Sequence, residues 1–167
     1  MAPRNPCVTG SILPQATPLV SLSEDSSIFM FNSLEQVIND DYVDEYKRCL
    51  LLLRSGKLNI PFRRVMVNNC TPLVNECYNN VNRFVAENSQ YLIQYGWLIF
   101  EYSEKNETVF EAHAVVKNII NTELFEITPT FLSLPFVISM LEDDKFEELV
   151  IFLHGKNSHA RLTIPTK

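Results

Sequence analysis

"YGWLIFEYSEKNETVFEAHAVVKNIINTELFEITP", residues 95–129, decides the fold class. Its apolar residues recur at period two, and "EKNE" and "NIIN" break the pattern as turns. The stretch therefore reads as three consecutive antiparallel strands, "YGWLIFEYS", "TVFEAHAVVK" and "TELFEITP". In the middle strand Phe110, Ala112, Ala114 and Val116 take one face, and Glu111, His113 and Val115 take the other. Trp97 and Phe100 read as core. With "NIIN" as the closing turn, Lys117 faces Thr122, and the same register sets His113 opposite Glu126.

The chain before this stretch has helical texture. "NSLEQVINDDYVDEYKRCLLLLRSGK" opens with a capping-box signal at Ser33 and Gln36 and keeps helical spacing through Val37, Val43, Tyr46, Leu50 and Leu53. One long helix is expected, or two broken near Asn39–Asp41, with Gly56 as the stop. "IPFRRVMVNN" reads as a short strand. A second helix runs from about Cys77 to Asn88, with Cys77, Val81, Phe84, Val85 and Asn88 on one face and Asn75 as N-cap. Beyond residue 129, "SLPFVISMLEDD" reads as a short helix. "FEELVIFLHG" and "HARLTIP" read as a closing hairpin around Gly155–Asn157, with His154 and His159 in its loop. Helices first and an antiparallel sheet after them make an α+β fold.

Length and charge bound the rest. The 167 residues, 46% hydrophobic and 11% aromatic, suit one domain with a core of its own. Residues 1–20, with Pro3, Pro6, Pro14 and Pro18, read as a flexible N-terminal arm, and 21–167 as a single α+β domain. A net charge of −6 offers no basic stripe for phosphates, so nucleic acid is not the expected partner. The basic pair Arg63–Arg64 reads as a solvated strand end. No run reaches the ~18 apolar residues of a membrane span. The N-terminus lacks a signal-peptide core, and four scattered cysteines do not form a secreted disulfide scaffold, so a cytoplasmic protein with reduced thiols is expected. No phosphate loop, dinucleotide fingerprint or glycosidase carboxylate pair is present, and no cofactor is expected.

The remaining chemistry lies in "VNECYNNVNRF", residues 74–84. A cysteine hydrolase needs an ionised thiol, a base within reach and a third group that orients the base. A helix N-terminus favours the thiolate, and Cys77 has that position. His113, set in a strand, supplies the base, and Glu126 the orienting acid. Asn75 and Asn69 are candidates to meet the oxyanion together with the Cys77 backbone N–H. The plainer alternative makes Cys77 a buried core thiol, His113 a structural histidine and Glu126 a solvent-face residue. Cys70 is a rival nucleophile without a helix. A zinc site from Cys70, Cys77 and His113 or His154 lacks the spacing of a compact metal knuckle, and no metal is expected.

The pieces "CYNNV", "EAHAV" and "EITP", in that order, resemble the transglutaminase-like branch of papain-fold cysteine hydrolases. His113 follows Cys77 by 36 residues and Glu126 follows His113 by 13. They are similar to a pattern of uncharacterised bacterial proteins, Cys-(His)-x-Asn-Val, Glu-Ala-His-x-Val and Asp-(Ile/Val)-Thr-Pro, and to N-terminal glutamine amidases. The resemblance covers about residues 69–136. It implies a papain-like core and a Cys77–His113–Glu126 triad acting on an amide of a protein or peptide, as deamidase, protease or acyl transferase. Two residues depart from the pattern: Glu126 replaces an aspartate, and Tyr78 stands where histidine is frequent. The alternative reading is an inactive interaction protein on the same scaffold.

Overall fold

The computed structural model describes residues 36–130, 133–156 and 159–166; the expected arm and the Ser33 cap lie outside them. The first helix, α1 (Asp40–Leu53), begins where the sequence suggested a break. The Asn39 side chain accepts from the Tyr42 N–H at 2.9 Å, and Asp40 and Asp41 meet the positive end of the helix dipole. Tyr42, Val43, Tyr46, Cys49 and Leu50 form its buried stripe. Gly56 closes a 3-10 turn, Arg54–Gly56, that follows the helix.

Strand β1 (Leu58–Asn59) and helix α2 (Cys77–Glu87) come next. Strands β2 (Tyr91–Tyr102) and β3 (Glu107–Asn118) then pair along all their residues. Asn106 turns the chain between them in the left-handed conformation, which asparagine tolerates. Strands β4 (Leu124–Phe125) and β5 (Pro135–Ile138), helix α3 (Asp143–Lys156) and strand β6 (Arg161–Pro165) complete the order. The sheet runs β1-β5-β2-β3-β4, with β6 also on β3, and every ladder is antiparallel. The fold is α+β.

Three expectations fail. "PFVI" is strand β5, paired with β2 from Leu98 to Gly96, because β-branched and aromatic residues suit a strand and Pro135 is tolerated as its first residue. "FEELVIFLHG" belongs to helix α3, which also holds His154. Phe146, Leu149 and Leu153 bury at spacings of three and four, and that period outweighs the strand propensity of Val150 and Ile151. "IPFRRVMVNN" holds only isolated bridges, Phe62 to Glu126 and Val67 to Cys70, since left-handed Asn68 and Asn69 turn the chain.

The three helices among the described residues pack on one face of the β2–β3 ladder. Tyr91, Tyr95, Trp97 and Ile99 lie on that face with Phe110, Ala112, Ala114 and Val116. Tyr46 of α1 meets Trp97 at 5.9 Å between ring centroids and accepts its indole N–H at 2.9 Å. Phe146 of α3 stacks on Tyr95 at 5.2 Å. Phe84 of α2 meets Tyr91 at 5.3 Å and Phe125 at 6.1 Å. Each such aromatic contributes roughly 1.5–3 kcal/mol by leaving water. No helix among the described residues is long and apolar enough to cross a membrane.

Candidate active site

His113 sits on β3 between Ala112 and Ala114, so its side chain leaves the sheet away from the aromatic core. Its cross-strand partner is Gly96. A Cβ at Gly96 would run into the Phe136 ring and the Val137 carbonyl. Glycine therefore makes room for Phe136, whose ring stands edge-on to the imidazole at 6.4 Å. The histidine is left only 8% exposed.

Glu126 follows β4 and is fixed by its backbone. Its N–H donates to the Pro61 carbonyl at 2.9 Å, and its carbonyl accepts from the Arg63 N–H at 2.8 Å. Arg63 in turn lies 4.4 Å from the Phe125 ring centroid and pairs with Glu123, so it is engaged rather than simply solvated. The Glu126 carboxylate is buried and committed on both oxygens. Oε2 bonds His113 Nε2, and Oε1 accepts from the Thr128 N–H at 2.6 Å.

The register that delivers this contact differs from the expected one. Lys117 pairs with Leu124, not Thr122, a shift of two residues. A shift of two preserves the face, whereas a shift of one would have reversed it. Glu126 thus stays on the side of His113 but meets it along a diagonal, where a long side chain is needed. The extra methylene of glutamate fits that reach.

Cys77 is the first residue of α2 and is 9% exposed. Its thiol lies close enough to the imidazole to favour the ring's charged form. With Nε2 engaged by Glu126, Nδ1 is the ring nitrogen that remains. The expected packing of α2 is overturned. Its stripe lies not on the His113 face but in the aromatic core, with Val81 and Phe84 in the cluster of Ala112 and Ala114. Phe84 finds Tyr91 and Phe125 there, the larger apolar surface. On the outer edge of β3 the ladder with β6 ends at Glu111 and the ladder with β4 begins at Val116. Apart from the Ala112 N–H, bonded to the Ala160 carbonyl, that edge is open at the level of His113.

Burial, the largest influence on His113, disfavours its charged form. The hydrogen bonds and charges of Cys77 and Glu126 outweigh it and push the imidazole from 6.5 up to about 10. Its neighbours therefore favour the protonated ring. Asn75 is not the N-cap of α2. That position belongs to Glu76, and no side chain caps the helix, because Asn75 is spent on a left-handed turn. Asn69 adopts the same conformation; both are exposed loop residues outside the hydrogen-bonded set. Cys70 is exposed and bridges Val67. Among the described residues no group of three His, Cys, Asp or Glu is arranged to hold a metal.

Two buried polar residues of the site escaped the sequence reading. Asn80 accepts from the Leu73 N–H at 3.0 Å and donates to the Leu73 carbonyl at 2.7 Å and to Thr128 Oγ1 at 3.1 Å. Both lie in the quoted pieces "CYNNV" and "EITP", and a helical asparagine one turn after the thiol was the available signal. The Tyr78 hydroxyl is buried with no hydrogen-bond partner among the described residues, and burial raises its pKa. No family model, curated protein or solved structure matches this chain.

Proposed function

We propose that the chain is a papain-like (transglutaminase-like) cysteine hydrolase that acts on an amide of a protein or peptide in the cytoplasm. One observation carries the reading: a buried imidazole bonded to the Glu126 carboxylate, with Cys77 beside it and both neighbours favouring its charged form. In the proposed mechanism the pair reacts as thiolate and imidazolium. Cys77 attacks the carbonyl carbon, and the oxyanion meets the Cys77 backbone N–H at the uncapped helix start. His113 gives its proton to the leaving amine as the carbon–nitrogen bond breaks, which leaves a thioester on Cys77. Water then attacks the thioester while His113 takes its proton, the carbon–sulfur bond breaks, and the acid and the Cys77 thiolate beside protonated His113 result. Glu126 holds the imidazole orientation throughout.

Alkylation tests the reading directly. Iodoacetamide should label Cys77 rapidly near pH 6, well ahead of Cys70, although Cys70 is the more exposed thiol. Labelling that rises only near the ordinary thiol value of ~8.5 would overturn it. The second reading, an inactive scaffold that binds a partner protein, draws on the low exposure of Cys77. It is supported if Cys77 resists labelling at every pH while Cys70 reacts.

A further inference from the structure

The thiol and the acid come from elements that share no ladder, helix α2 and the stretch after β4, yet both must meet one imidazole. A single polar chain joins them. Asn80, one turn after Cys77, donates to Thr128 Oγ1 at 3.1 Å, and the Thr128 N–H donates to Glu126 Oε1 at 2.6 Å. Asn80 and Thr128 are 3% and 4% exposed, so water does not substitute for these bonds. Asn80 also bonds both backbone groups of Leu73, which ties down the loop entering the helix. All the hydrogen-bonding atoms of the Asn80 amide are thereby engaged in holding two segments to the helix.

We propose that Asn80 and Thr128 are positioning residues, a clamp that fixes the N-terminus of α2 against the Glu126 segment so that Cys77 and Glu126 both stay at the His113 ring. The inference rests on the hydrolase reading for its purpose, but the clamp itself stands on the hydrogen bonds. Neither residue touches the imidazole; each acts through a neighbour.

The groups facing His113 are Cys77 from α2, Glu126 after β4 and the uncharged Phe136 ring from β5. Loosening the clamp withdraws Cys77 and leaves Glu126, whose bond to the Thr128 backbone survives any side-chain change. Thr128→Val keeps the shape and that backbone bond and removes only the acceptor for Asn80. Thr128→Ser restores the acceptor. Two measurements on the full chain follow: the NMR titration of the His113 ring, and the pH profile of Cys77 alkylation by iodoacetamide. Thr128→Val should lower the His113 midpoint by about one pH unit and slow labelling at pH 6 about tenfold, as expected for a weakened charged partner. Thr128→Ser should match the wild type in both. Asn80→Ala should repeat the Thr128→Val effect where it folds; the conclusion does not depend on it. A folded Thr128→Val chain with the wild-type His113 midpoint overturns the clamp. Slow, ordinary labelling of Cys77 in the wild type overturns the hydrolase reading instead, and the His113 midpoint still judges the clamp.

Discussion

The two ends of α2 do different work. Its first turn carries Cys77, buried beside His113, and Asn80, buried and bonded to polar partners on other segments. Its later turns carry Val81 and Phe84, buried in the aromatic core. The apolar end gains from area alone and tolerates changes of angle. The polar end works only within hydrogen-bond distance, where small displacements cost an interaction. The helix is held by its far end and used at its near end, so stability and chemistry are separable along it.

The sharpest break falls at the near end. If the reading is right, Cys77→Ala or His113→Ala should reduce amide turnover by about 10³–10⁴, with the folded state retained. Turnover of a glutamine-containing peptide pool, followed by mass spectrometry for deamidation and cleavage, measures it. Wild-type turnover in either variant would remove the thiol from the mechanism. The reverse break is Phe84→Ala, which should cost about 3–5 kcal/mol of stability while the Cys77 labelling profile of the folded fraction stays unchanged. Chemical denaturation reads the first quantity. A loss below about 1 kcal/mol would show that the aromatic cluster is not the anchor.

A finer cut is Glu126→Asp, which supplies the acid of the resembled pattern but shortens the diagonal reach to His113. Turnover should fall about tenfold and the His113 midpoint should drop. Unchanged values would mean that the two-residue offset of the register is absorbed by backbone movement. The smallest effect is the pH dependence of stability. His113 binds its proton more tightly in the folded chain than at its ordinary value of 6.5. Its contribution is therefore complete below pH 6.5 and is lost as pH rises through about 10. Replacing His113 by Gln should flatten the denaturation midpoint across that window; an equally steep slope would assign the loss to other groups.

The middle of the fold was legible because periods report faces. The period of two in β2 and β3 set His113 apart from Ala112 and Ala114, whereas cap chemistry pointed to Asn75, and no side chain caps α2. Helix α3 was misread because Val150, Ile151 and Phe152 carry strand propensity inside a three-and-four spacing. The face that α2 covers was also misjudged, since the stripe of a helix shows that it packs but not on what.

The sequence by itself determined the α+β class, the two long strands and the start of α2 at Cys77, and it drew attention to Cys77, His113 and Glu126, the last through a register that the structure shifts by two. These follow from local rules: side-chain periodicity, capping and turn residues act within a few positions. Only the tertiary structure decided the offset of β4, the open outer edge of β3 at His113, the place of Phe136 over Gly96 and the tie from Asn80 to Thr128. Those depend on residues tens of positions apart competing for the same buried volume and the same hydrogen-bond partners. Short-range pattern carries no information about which distant partner wins.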